Sequence, residues 1–592
     1  MIVSMKKVSV IVQAKDTDST MQRLRSLGAL HIEHQQPPQG KDISGLKDDI
    51  TLIDEVVGIL SEEKFSQGIK SAPGKELEDW KFRVKHIIDL NKRLEQLEEY
   101  SHVLINRISQ WEEWGDFDPD SIRALEEKQV YVRLYQVPVK ELNHFPSQIV
   151  VKNLFTSAGI AHCVVIAREK TELPFKELPL PKMGLEKTRT RLYEDRRIME
   201  LITEEILQSA GYLPGLLEIK KSLEKELEFH EALRGMGQAG NIMYLSGYVP
   251  YDAVENLQGV SRREKWGISV NDPSDEDRVP TLMRNPHWVT LINPVFKFIE
   301  IVPGYREFDI SLWFLIFLSF FFGVIIGDAG YGTIYFALTL FAHRKFGHRI
   351  KDKTVIYLFY VFSLCAITWG LLSGTILGTA WLKGRFNPLV PALADDKFVR
   401  RLFFLVGATH LSIAHIWRII VQFPSFVALT EVGWICILWS AFFLTRSLLL
   451  GDGLPSWIMI LIMVGCALVV FYSNPRKNIV NRILAGLGTL VLNLMNNFTD
   501  VVSYIRLFAV GLAGVAVANA FNTMASSVAG MGIFSVILGG LILIAGHGLN
   551  IIILGPMSVL VHGVRLNVLE FCMHLDVKWN GFAYNPLREQ NL

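Results

Sequence analysis

The residue with the clearest chemistry in this sequence is an arginine inside an apolar run. Arg506 lies in NLMNNFTDVVSYIRLFAVGLAGVAVANA, a stretch apolar enough to cross a bilayer. A charged side chain at that depth costs about 3 kcal/mol on insertion scales, so it is a functional candidate by default. Small side chains fall on nearly the same helix face at about 100° per residue, and they let another helix approach closely. These residues are Ala509, Ala513, Ala516 and Ala520.

Two further polar stripes accompany this arginine. The first lies on the same helix, about a third of a turn or more away from Arg506, and predicts that one side of the helix is hydrated; it contains Asn493, Asn497, Asp500 and Tyr504. The second stays within about 120° over about 27 Å of the last apolar segment, which is long enough for half of an ion path. It contains His547, Asn550, Ser558, His562 and Arg565, and Gly555-Pro556 predicts a kink within it.

Acidic residues near these arginines are few. The sequence favours Asp500 as the only acidic neighbour of Arg506 and Arg565 in the two helices. Glu570 is a further candidate for ion translocation, although at about 100° per residue it points away from the polar line. A structural role is the favoured interpretation for any single His or Asn in a span, but not for the two arginines together. Structural roles near helix ends are also expected for His410, His415, Arg418 and Glu431.

Other kinds of chemistry are not indicated. The Gly-Lys pairs at 40–41 and 74–75 do not complete a GxxxxGK[ST] phosphate-binding loop. The five cysteines lie far apart without a CxxC spacing and predict neither disulfides nor a zinc site. Nucleotide chemistry is therefore expected to belong to another chain.

The composition predicts a membrane protein with two unlike halves. The 592 residues are 50% apolar and 20% charged. Residues 1–300 hold 40 Lys+Arg and 47 Asp+Glu, whereas residues 301–592 hold 20 and 12. Neither half has a basic surface that predicts nucleic-acid binding. Because no apolar run with a cleavage site follows the amino terminus, we expect the soluble half to be cytoplasmic.

Residues 1–300 predict cytoplasmic α/β lobes joined by an antiparallel coiled-coil arm. Strand and helix patterns in residues 5–34 begin a proximal lobe, which we assign to residues 1–70 and 236–300. Apolar residues at helical spacing in two charged segments predict the arm at 71–114 and 171–235, with a break near Pro214-Gly215. Strand-like runs between the two segments predict a distal α/β lobe at 115–170.

Residues 301–592 predict a polytopic α-helical membrane domain with about eight transmembrane helices. About 20 residues cross a bilayer, and the last two runs, about 483–522 and 532–573, are twice that length, so these helices must tilt, kink or project. With the soluble half inside, the basic loops 343–353 and 473–482 agree with the positive-inside rule, and loop 381–401 opposes it. The other runs are at about 310–327, 330–342, 355–380, 402–421, 427–450 and 456–472.

Four motifs resemble the membrane stator subunit of V-type and A-type rotary ATPases, called subunit a or subunit I. They are IEIVPGYREFDIS at the membrane entry, FFGVIIGDAGYG, SYIRLFAVGLA around Arg506 and HGVRLNVLEF around Arg565. The resemblance covers essentially the whole chain, and YLSGYVP in the soluble half supports it. Eukaryotic members have a His eight residues after the main arginine and a Glu ten before the second. Here these positions are Gly514 and Gly555, which favours a prokaryotic-type member.

This resemblance implies a stator subunit that provides ion half-channels in the cell membrane, has no catalytic activity of its own and binds no cofactor, metal or nucleotide. Arg506 would meet each carboxylate of a rotating ring, Arg565 would assist it, and the alanine strip would face the ring. The implied partners are the rotor ring of proteolipid subunits (c/K type), peripheral-stalk coiled-coil subunits (E/G type), a central-stalk subunit (d/C type) and membrane lipid. The complex would couple ATP hydrolysis or synthesis to translocation of H⁺ or Na⁺, and the sequence leaves both the ion and the direction open.

Two alternative functions make different predictions. A self-contained secondary transporter or channel would show an internal repeat and broken half-helices at the midplane, which we do not find in the sequence. A membrane-anchored coiled-coil scaffold with incidental arginines would tolerate removal of the Arg506 charge. Both rank below the stator interpretation.

Overall fold

The computed structural model describes residues 1–65, 79–146, 149–157, 159–170, 173–348, 350, 352–378, 388–473, 479–528 and 533–589. The chain divides into two compact units. The first comprises Met1–Ile11, Leu24–Glu33 and Ser246–Leu592, and the second comprises Val12–Arg23 and His34–Leu245. The end of the first proximal-lobe segment and the start of the predicted arm (66–78), the end of the apolar run 355–380 (379–380) and parts of the three basic loops (349, 351, 381–387 and 474–478) lie outside the described residues. The predicted orientation and domain boundaries therefore stay predictions.

The strands and the helices are each numbered in chain order. The strands are β1 (Met5–Gln13), β2 (His31–Glu33), β3 (Tyr131–Pro138), β4 (Val150–Ser157), β5 (Ile160–Ala167), β6 (Lys176–Leu178), β7 (Gly237–Ala239), β8 (Ile242–Pro250) and β9 (Gly267–Asn271). The first helices are α1 (Thr17–Leu27), α2 (Lys41–Ser61), α3 (Trp80–Trp111), α4 (Pro119–Glu127), α5 (Leu185–Ser209), α6 (Leu213–Arg234), α7 (Val254–Glu264) and α8 (Asn293–Phe298). The apolar helices are α9 (Ser311–Ile326), α10 (Ala329–Phe346), α11 (Thr354–Ser373), α12 (Asp396–Gln422), α13 (Ala428–Leu450), α14 (Ile458–Tyr472), α15 (Ile479–Ser503), α16 (Ile505–Val528) and α17 (Ile533–His574).

Long helices and one antiparallel sheet make up the second unit. Helix α3 packs with α5, and α2 packs with α6, around one apolar core. Val84, Ile87 and Leu94 of the predicted helical stripe lie in this core. Helix α2, which the sequence pattern placed in the proximal lobe, therefore packs with an arm helix. The sheet has the strand order β4-β5-β3-β6, and its last strand lies beyond the predicted lobe end at 170.

A small antiparallel sheet begins the first unit, with the order β2-β8-β1-β9. Strand β8 thus lies between the two strands of the predicted opening motif. The end of the chain returns to this region, where the backbone N–H of Tyr584 donates to the Thr281 carbonyl at 3.0 Å and that of Leu587 to the Leu30 carbonyl at 3.0 Å. Burial raises the pKa of the Tyr584 phenol to about 12, since the charged form is poorly solvated there.

The apolar helices lie where the sequence placed them, but the count of eight crossings is not confirmed. Among the described residues, five helices are long and apolar enough to cross a membrane by themselves. Helices α9 and α10 pass this test only together, and they are bent by 120° at Gly327-Asp328, which makes six if the pair is one span. Helix α14 has only 15 residues. Segments Val480–Val528 and Ile533–His574 reach 49 and 42 residues, about twice the length a bilayer requires.

The bend between α9 and α10 is held by one buried carboxylate. Asp328 is 1% exposed and accepts hydrogen bonds from the backbone N–H groups of Gly330 (2.7 Å) and Tyr331 (3.1 Å) at the start of α10. It also accepts from those of Leu377 (2.8 Å) and Gly378 (2.9 Å), which follow α11. The FFGVIIGDAGYG motif therefore fixes the turn of the bent pair and ties it to the next helix.

We expect Asp328→Ala to destabilise the membrane helices strongly. The substitution leaves four backbone donors without their acceptor, and each buried unsatisfied donor costs about 1–3 kcal/mol. The free energy of unfolding should therefore fall by about 3 kcal/mol or more. Thermal unfolding of the purified protein in detergent measures this loss. The matched control is Asp352→Ala, because Asp352 is exposed just before α11 and, among the hydrogen bonds of the described residues, accepts only from the backbone N–H and the hydroxyl of Thr354. Equal losses in the two variants would contradict the role of Asp328.

Candidate functional site

Arg506 lies at the start of α16, directly after an interruption in the helix. The regular helix ends at Ser503 and resumes at Ile505. Tyr504 between them is fully buried, and its hydroxyl bonds to His410 Nδ1 at 2.8 Å, which anchors this point of the chain. The Arg506 Nε donates to the Ser503 carbonyl at 3.0 Å, and its Nη2 donates to a carboxylate oxygen of Glu570. The guanidinium is therefore held in place and remains 24% exposed.

The prediction that Glu570 points away from the arginines is wrong. Its buried carboxylate receives hydrogen bonds from Arg506 and from the Ser503 hydroxyl (3.1 Å), and its Oε1 lies 3.8 Å from Arg565 Nε. Asp500 is thus not the only acidic neighbour of the two arginines, since it bonds instead to His574 Nε2 at 3.1 Å. The other carboxylate oxygen of Glu570, Oε2, is buried and has no hydrogen-bond partner among the described residues.

A change in helix type explains the error. Residues Leu566–Phe571 form a π-helical segment, in which hydrogen bonds join residues five apart. Residue i+5 therefore lies close to residue i, whereas five residues of α-helix turn the side chain by about 140°. Arg565 and Glu570 are separated by five positions. Two more π-helical segments, Asn550–Leu554 and Val559–Val564, flank Gly555-Pro556, and the helix continues through this dipeptide as one element.

The predicted alanine strip lies on an open face of α16. All four alanines are exposed, whereas Ala518 and Ala525 on the same helix are buried. A row of exposed methyl groups on an apolar helix offers a close approach to another helix. The exposed four are Ala509, Ala513, Ala516 and Ala520.

A cavity of about 350 Å³ is lined by residues of α15, which precedes Arg506 in the chain, together with residues of other segments. We call it the Asp500 cavity. It is lined by Asn493, Asn497 and Asp500 of the predicted polar stripe. Polar atoms of its walls have no hydrogen-bond partner in the part of the chain that the structure describes, namely Thr430 Oγ1, Ser473 Oγ and Asn497 Oδ1. Such atoms require water in a cavity of this size. The lining residues are His415, Arg418, Val427, Thr430, Glu431, Trp434, Ser473, Thr489, Asn493, Asn496, Asn497, Asp500, Met573, His574 and Asp576.

Four protonatable side chains are joined in series on the wall of the Asp500 cavity. Glu431 bonds to His415 Nδ1 at 2.7 Å, His415 Nε2 bonds to His574 Nδ1 at 2.9 Å, and His574 Nε2 bonds to Asp500 at 3.1 Å. The sequence assigned His415 and Glu431 to structural roles and did not single out His574. One sequence signal for a polar site at this place was available: His415 and Arg418 lie three residues apart and so share a helix face.

A second cavity of about 330 Å³ is lined by residues of α16 that follow Arg506 in the chain, together with residues of other segments. We call it the Tyr331 cavity. Asn550 of the predicted line donates to the Tyr331 hydroxyl (3.1 Å) and to the Gly514 carbonyl (2.9 Å). His547 Nδ1 bonds to the same hydroxyl at 2.8 Å. The lining residues are Ile325, Ile326, Tyr331, Tyr335, Ala509, Val510, Ala513, Gly514, Val517, Asn550, Leu554, Gly555 and Ser558.

The tertiary structure thus separates the predicted polar line on the last helix. Asn550 and Ser558 line the Tyr331 cavity, and His547 contacts it through Tyr331. His562 and Arg565 line neither cavity. The side chain of Arg565 is 50% exposed and that of His562 is partly buried.

The chain is similar over its full length to known proteins. It is 28% identical to a V-type ATP synthase subunit I of Borreliella burgdorferi and 28% identical to V-type ATP synthase subunit I 1 of Treponema pallidum, with 100% of both chains covered in each case. It is 27% identical to an A-type ATP synthase subunit I of Pyrococcus horikoshii, over 61% of this chain and 56% of that protein.

The resemblance to subunit I is confirmed. The two V-type subunit I relatives match the chain from end to end, so both its N-terminal and its apolar halves have counterparts in them. No family model matches the chain. A crystal structure of the cytoplasmic N-terminal domain of subunit I, homolog of subunit a, of V-ATPase aligns with 45% of this chain and 99% of its own, at 16% identity and a TM-score of 0.20.

Proposed function

We propose that this chain is the membrane stator subunit of a V/A-type rotary ATPase and couples ATP hydrolysis or synthesis to ion translocation. The observation that carries the proposal is the placement of Arg506. It is a guanidinium that is 24% exposed on a helix with an open strip of alanines; a polar cavity is lined by residues that precede it in the chain, and a mostly apolar cavity by residues that follow it on the same helix. An arginine placed in this way can face an acidic side chain of a second subunit.

The physical reason is the cost of charge in lipid. A carboxylate on a rotating subunit must be neutral, by protonation or by pairing with Na⁺, to pass through hydrocarbon, because burying it charged costs several kcal/mol. A guanidinium is always charged, so Arg506 stabilises the ionised carboxylate beside it. The carboxylate gives up its ion there and must take another before it re-enters lipid.

Two separate cavities make this exchange directional. The Asp500 cavity is lined by residues up to position 500 of the long segment, and the Tyr331 cavity by residues from position 509 onward. Along the chain Arg506 lies between these two sets of residues, and it lines neither cavity. A cation cannot pass the fixed positive charge, so it reaches the other cavity only on a carboxylate that moves. Rotation and ion flux are therefore coupled.

The partners follow from the proposed role. The open alanine face of α16 takes the rotor ring of proteolipid subunits, and the soluble half takes peripheral-stalk and central-stalk subunits on the cytoplasmic side. Nucleotide chemistry belongs to other chains of the complex, and this chain works in the cell membrane without a resident cofactor.

The bent pair α9–α10 bears on the alternative of a self-contained transporter. Such proteins use broken helices, whose free backbone groups bind the substrate. At this break the Asp328 carboxylate already accepts four backbone N–H groups, so these groups are not offered to a substrate. The break serves the packing of α11, and the stator function is favoured.

Photo-cross-linking in the intact complex tests the proposed contact. We expect a benzophenone amino acid at Ala513 or Ala516 to form an adduct with a small ring subunit, because both positions are exposed on the proposed ring face. The same amino acid at Ala525 is the matched control, since this alanine is 4% exposed on the same helix. Mass spectrometry of the adducts identifies the partner. A ring adduct at 525 but not at 513 or 516 would refute the assignment of this face.

A further inference from the structure

We propose that residues 578–589 form a strap that passes the reaction torque of the rotor from helix α17 to the small sheet β2-β8-β1-β9. This inference rests on the proposed function and names the part of the chain that keeps the long membrane helices from turning. Its basis is that the strap, which follows α17, is fixed at three places to residues that precede the membrane helices. All of these residues belong to the first compact unit.

The first fixing point is Glu307 of the membrane-entry motif. Its carboxylate accepts hydrogen bonds from the backbone N–H groups of Lys578 at 2.8 Å and Trp579 at 3.3 Å, and also from that of Gly304 at 2.7 Å. Trp579 and Asp576 have φ angles of 57° and 59°. Residues with a Cβ rarely adopt this left-handed conformation, and it persists where surrounding contacts impose it. The carboxylate therefore fixes the direction in which the chain leaves α17.

The second fixing point is Gly581, which packs directly on the backbone of the same motif. A Cβ atom at this position would lie 2.0 Å from the Pro303 carbonyl oxygen and 2.8 Å from the Gly304 nitrogen. No side-chain rotation relieves such contacts, because both atoms belong to the backbone. The strap thus approaches the entry motif more closely than any residue other than glycine permits.

The third fixing point is the pairing of residues 582–589 beside the small sheet. The Thr281 backbone N–H donates to the Phe582 carbonyl at 2.9 Å, and the Asn585 N–H donates to His31 Nδ1 at 3.0 Å. His31 begins β2, which is the edge strand of the sheet. Leu587 is 3% exposed, so the far part of the strap is anchored by burial as well as by hydrogen bonds.

The strap provides a second connection between the membrane helices and the small sheet. The first connection is the chain itself, through residues 272–310 between β9 and α9. A body held by one connection turns about it, whereas a body held at two separate points does not. The chain passes from the first unit to the second within β1, after β2 and within β8. A force on this sheet is therefore passed along these strands to the second unit.

The load arises on α16 and α17 under the proposed function. A ring that is driven past the open face of α16 exerts an equal and opposite torque on it, and α16 packs with α17. This torque grows with the ion gradient that opposes rotation. The strap holds the chain just after the end of α17, so its loss should be felt when the gradient is large and not when it is small.

Hydrogen–deuterium exchange in the intact complex tests whether Glu307 holds the strap. Glu307→Gln replaces one acceptor oxygen with a donor group and removes the negative charge. Because hydrogen bonds to charged groups are the stronger ones, we expect the amides of residues 578–589 to exchange at least about tenfold faster. Asp272→Asn is the matched control, since this exposed carboxylate of the same unit pairs with Lys6. Unchanged exchange in Glu307→Gln would overturn the proposal.

ATP-driven transport by the complex in liposomes tests whether the strap carries load. We expect Glu307→Gln and Gly581→Ala to start at the parent rate, before a gradient builds, and to reach a severalfold smaller final membrane potential, reported by a voltage-sensitive dye. Gly259→Ala on α7 is the control, because among the described residues a Cβ atom there contacts nothing beyond its own helix. Equal losses in initial rate and final potential would indicate a folding defect and overturn the proposal.

A reversible covalent strap keeps the outcomes distinct. Thr281 and Ala583 are partners in a parallel bridge. Neighbouring strands lie about 4.8 Å apart, which is within the Cα–Cα range of a disulfide. In the Glu307→Gln background, Thr281→Cys with Ala583→Cys should restore the final potential when oxidised and lose it again on reduction, which a folding defect does not predict.

Arg506→Ala separates the strap from the function on which it rests. If this variant blocks transport while the oxidised cysteine pair, verified by mass spectrometry, restores nothing, the strap proposal is overturned and the proposed function stands. Normal transport by Arg506→Ala would overturn both.

Discussion

Arg506→Ala should abolish ATP-driven ion transport while the complex still assembles. Losing a charge pair with the ring carboxylate that is worth about 3 kcal/mol in the slowest step corresponds to at least about a hundredfold in rate. The loss has two causes. A ring carboxylate no longer gains stabilisation in its ionised form, and the positive barrier between the two cavities disappears. Transport should be measured as dye-reported ion uptake by liposomes that contain the purified complex.

The control for this variant is another arginine of similar exposure in the apolar half. Arg446 is paired with Asp452 at 2.9 Å, its side chain is 30% exposed, and it lines neither cavity. Arg446→Ala should retain most of the transport. Assembly is checked by the amount of this chain that copurifies with the other subunits. Transport by Arg506→Ala at the level of Arg446→Ala would remove the basis of the proposed mechanism.

Glu570→Gln should slow turnover by about tenfold and shift the pH optimum of transport downward. Glu570 is the carboxylate that offsets the two arginines, so the site carries one net positive charge when no partner is present. Without it the net charge is two, and a ring carboxylate is held more strongly in its ionised form. The ring carboxylate then takes up a proton only at lower pH, and its release from the two arginines becomes the slow step. Transport rates across pH 5.5–8.5, a range of about three units, measure the shift.

Two further variants separate this effect from misfolding. Glu570→Asp keeps the charge and should restore the pH optimum, even if the shorter side chain lowers the rate. Asp452→Asn also removes a carboxylate that pairs with two arginines, Arg401 and Arg446, but does so away from both cavities. It should leave the pH optimum in place. An unshifted optimum in Glu570→Gln would show that Glu570 does not set the charge of the site.

Helical periodicity predicted which residues share a helix face in the segments before and after Arg506. The alanine strip depends only on the rotation per residue, and the structure places all four alanines on one open face. Asn493, Asn497 and Asp500 of the predicted stripe line one cavity, whereas its fourth member, Tyr504, is buried and bonds to His410 instead. The same argument failed for Glu570, because the rotation per residue changes where hydrogen bonding becomes π-helical.

The membrane boundaries show a similar division between local and long-range information. Length and hydropathy located every apolar helix, since both are properties of consecutive residues. They did not reveal that α9 and α10 meet at a 120° bend, because this bend depends on Asp328 binding backbone groups of Leu377 and Gly378, about 50 positions away.

The sequence by itself determined that this protein has a soluble half and an apolar half. It also determined that the charged Arg506 lies in a helical segment long enough to cross a bilayer, and that small residues lie on nearly the same helix face. These features follow from composition and from the fixed geometry of a helix. Only the tertiary structure decided that Glu570 is the partner of Arg506, that two cavities lie on either side, and that His415 meets His574 across 159 positions. Such contacts depend on how the helices pack against one another, and no local spacing of residues encodes that packing.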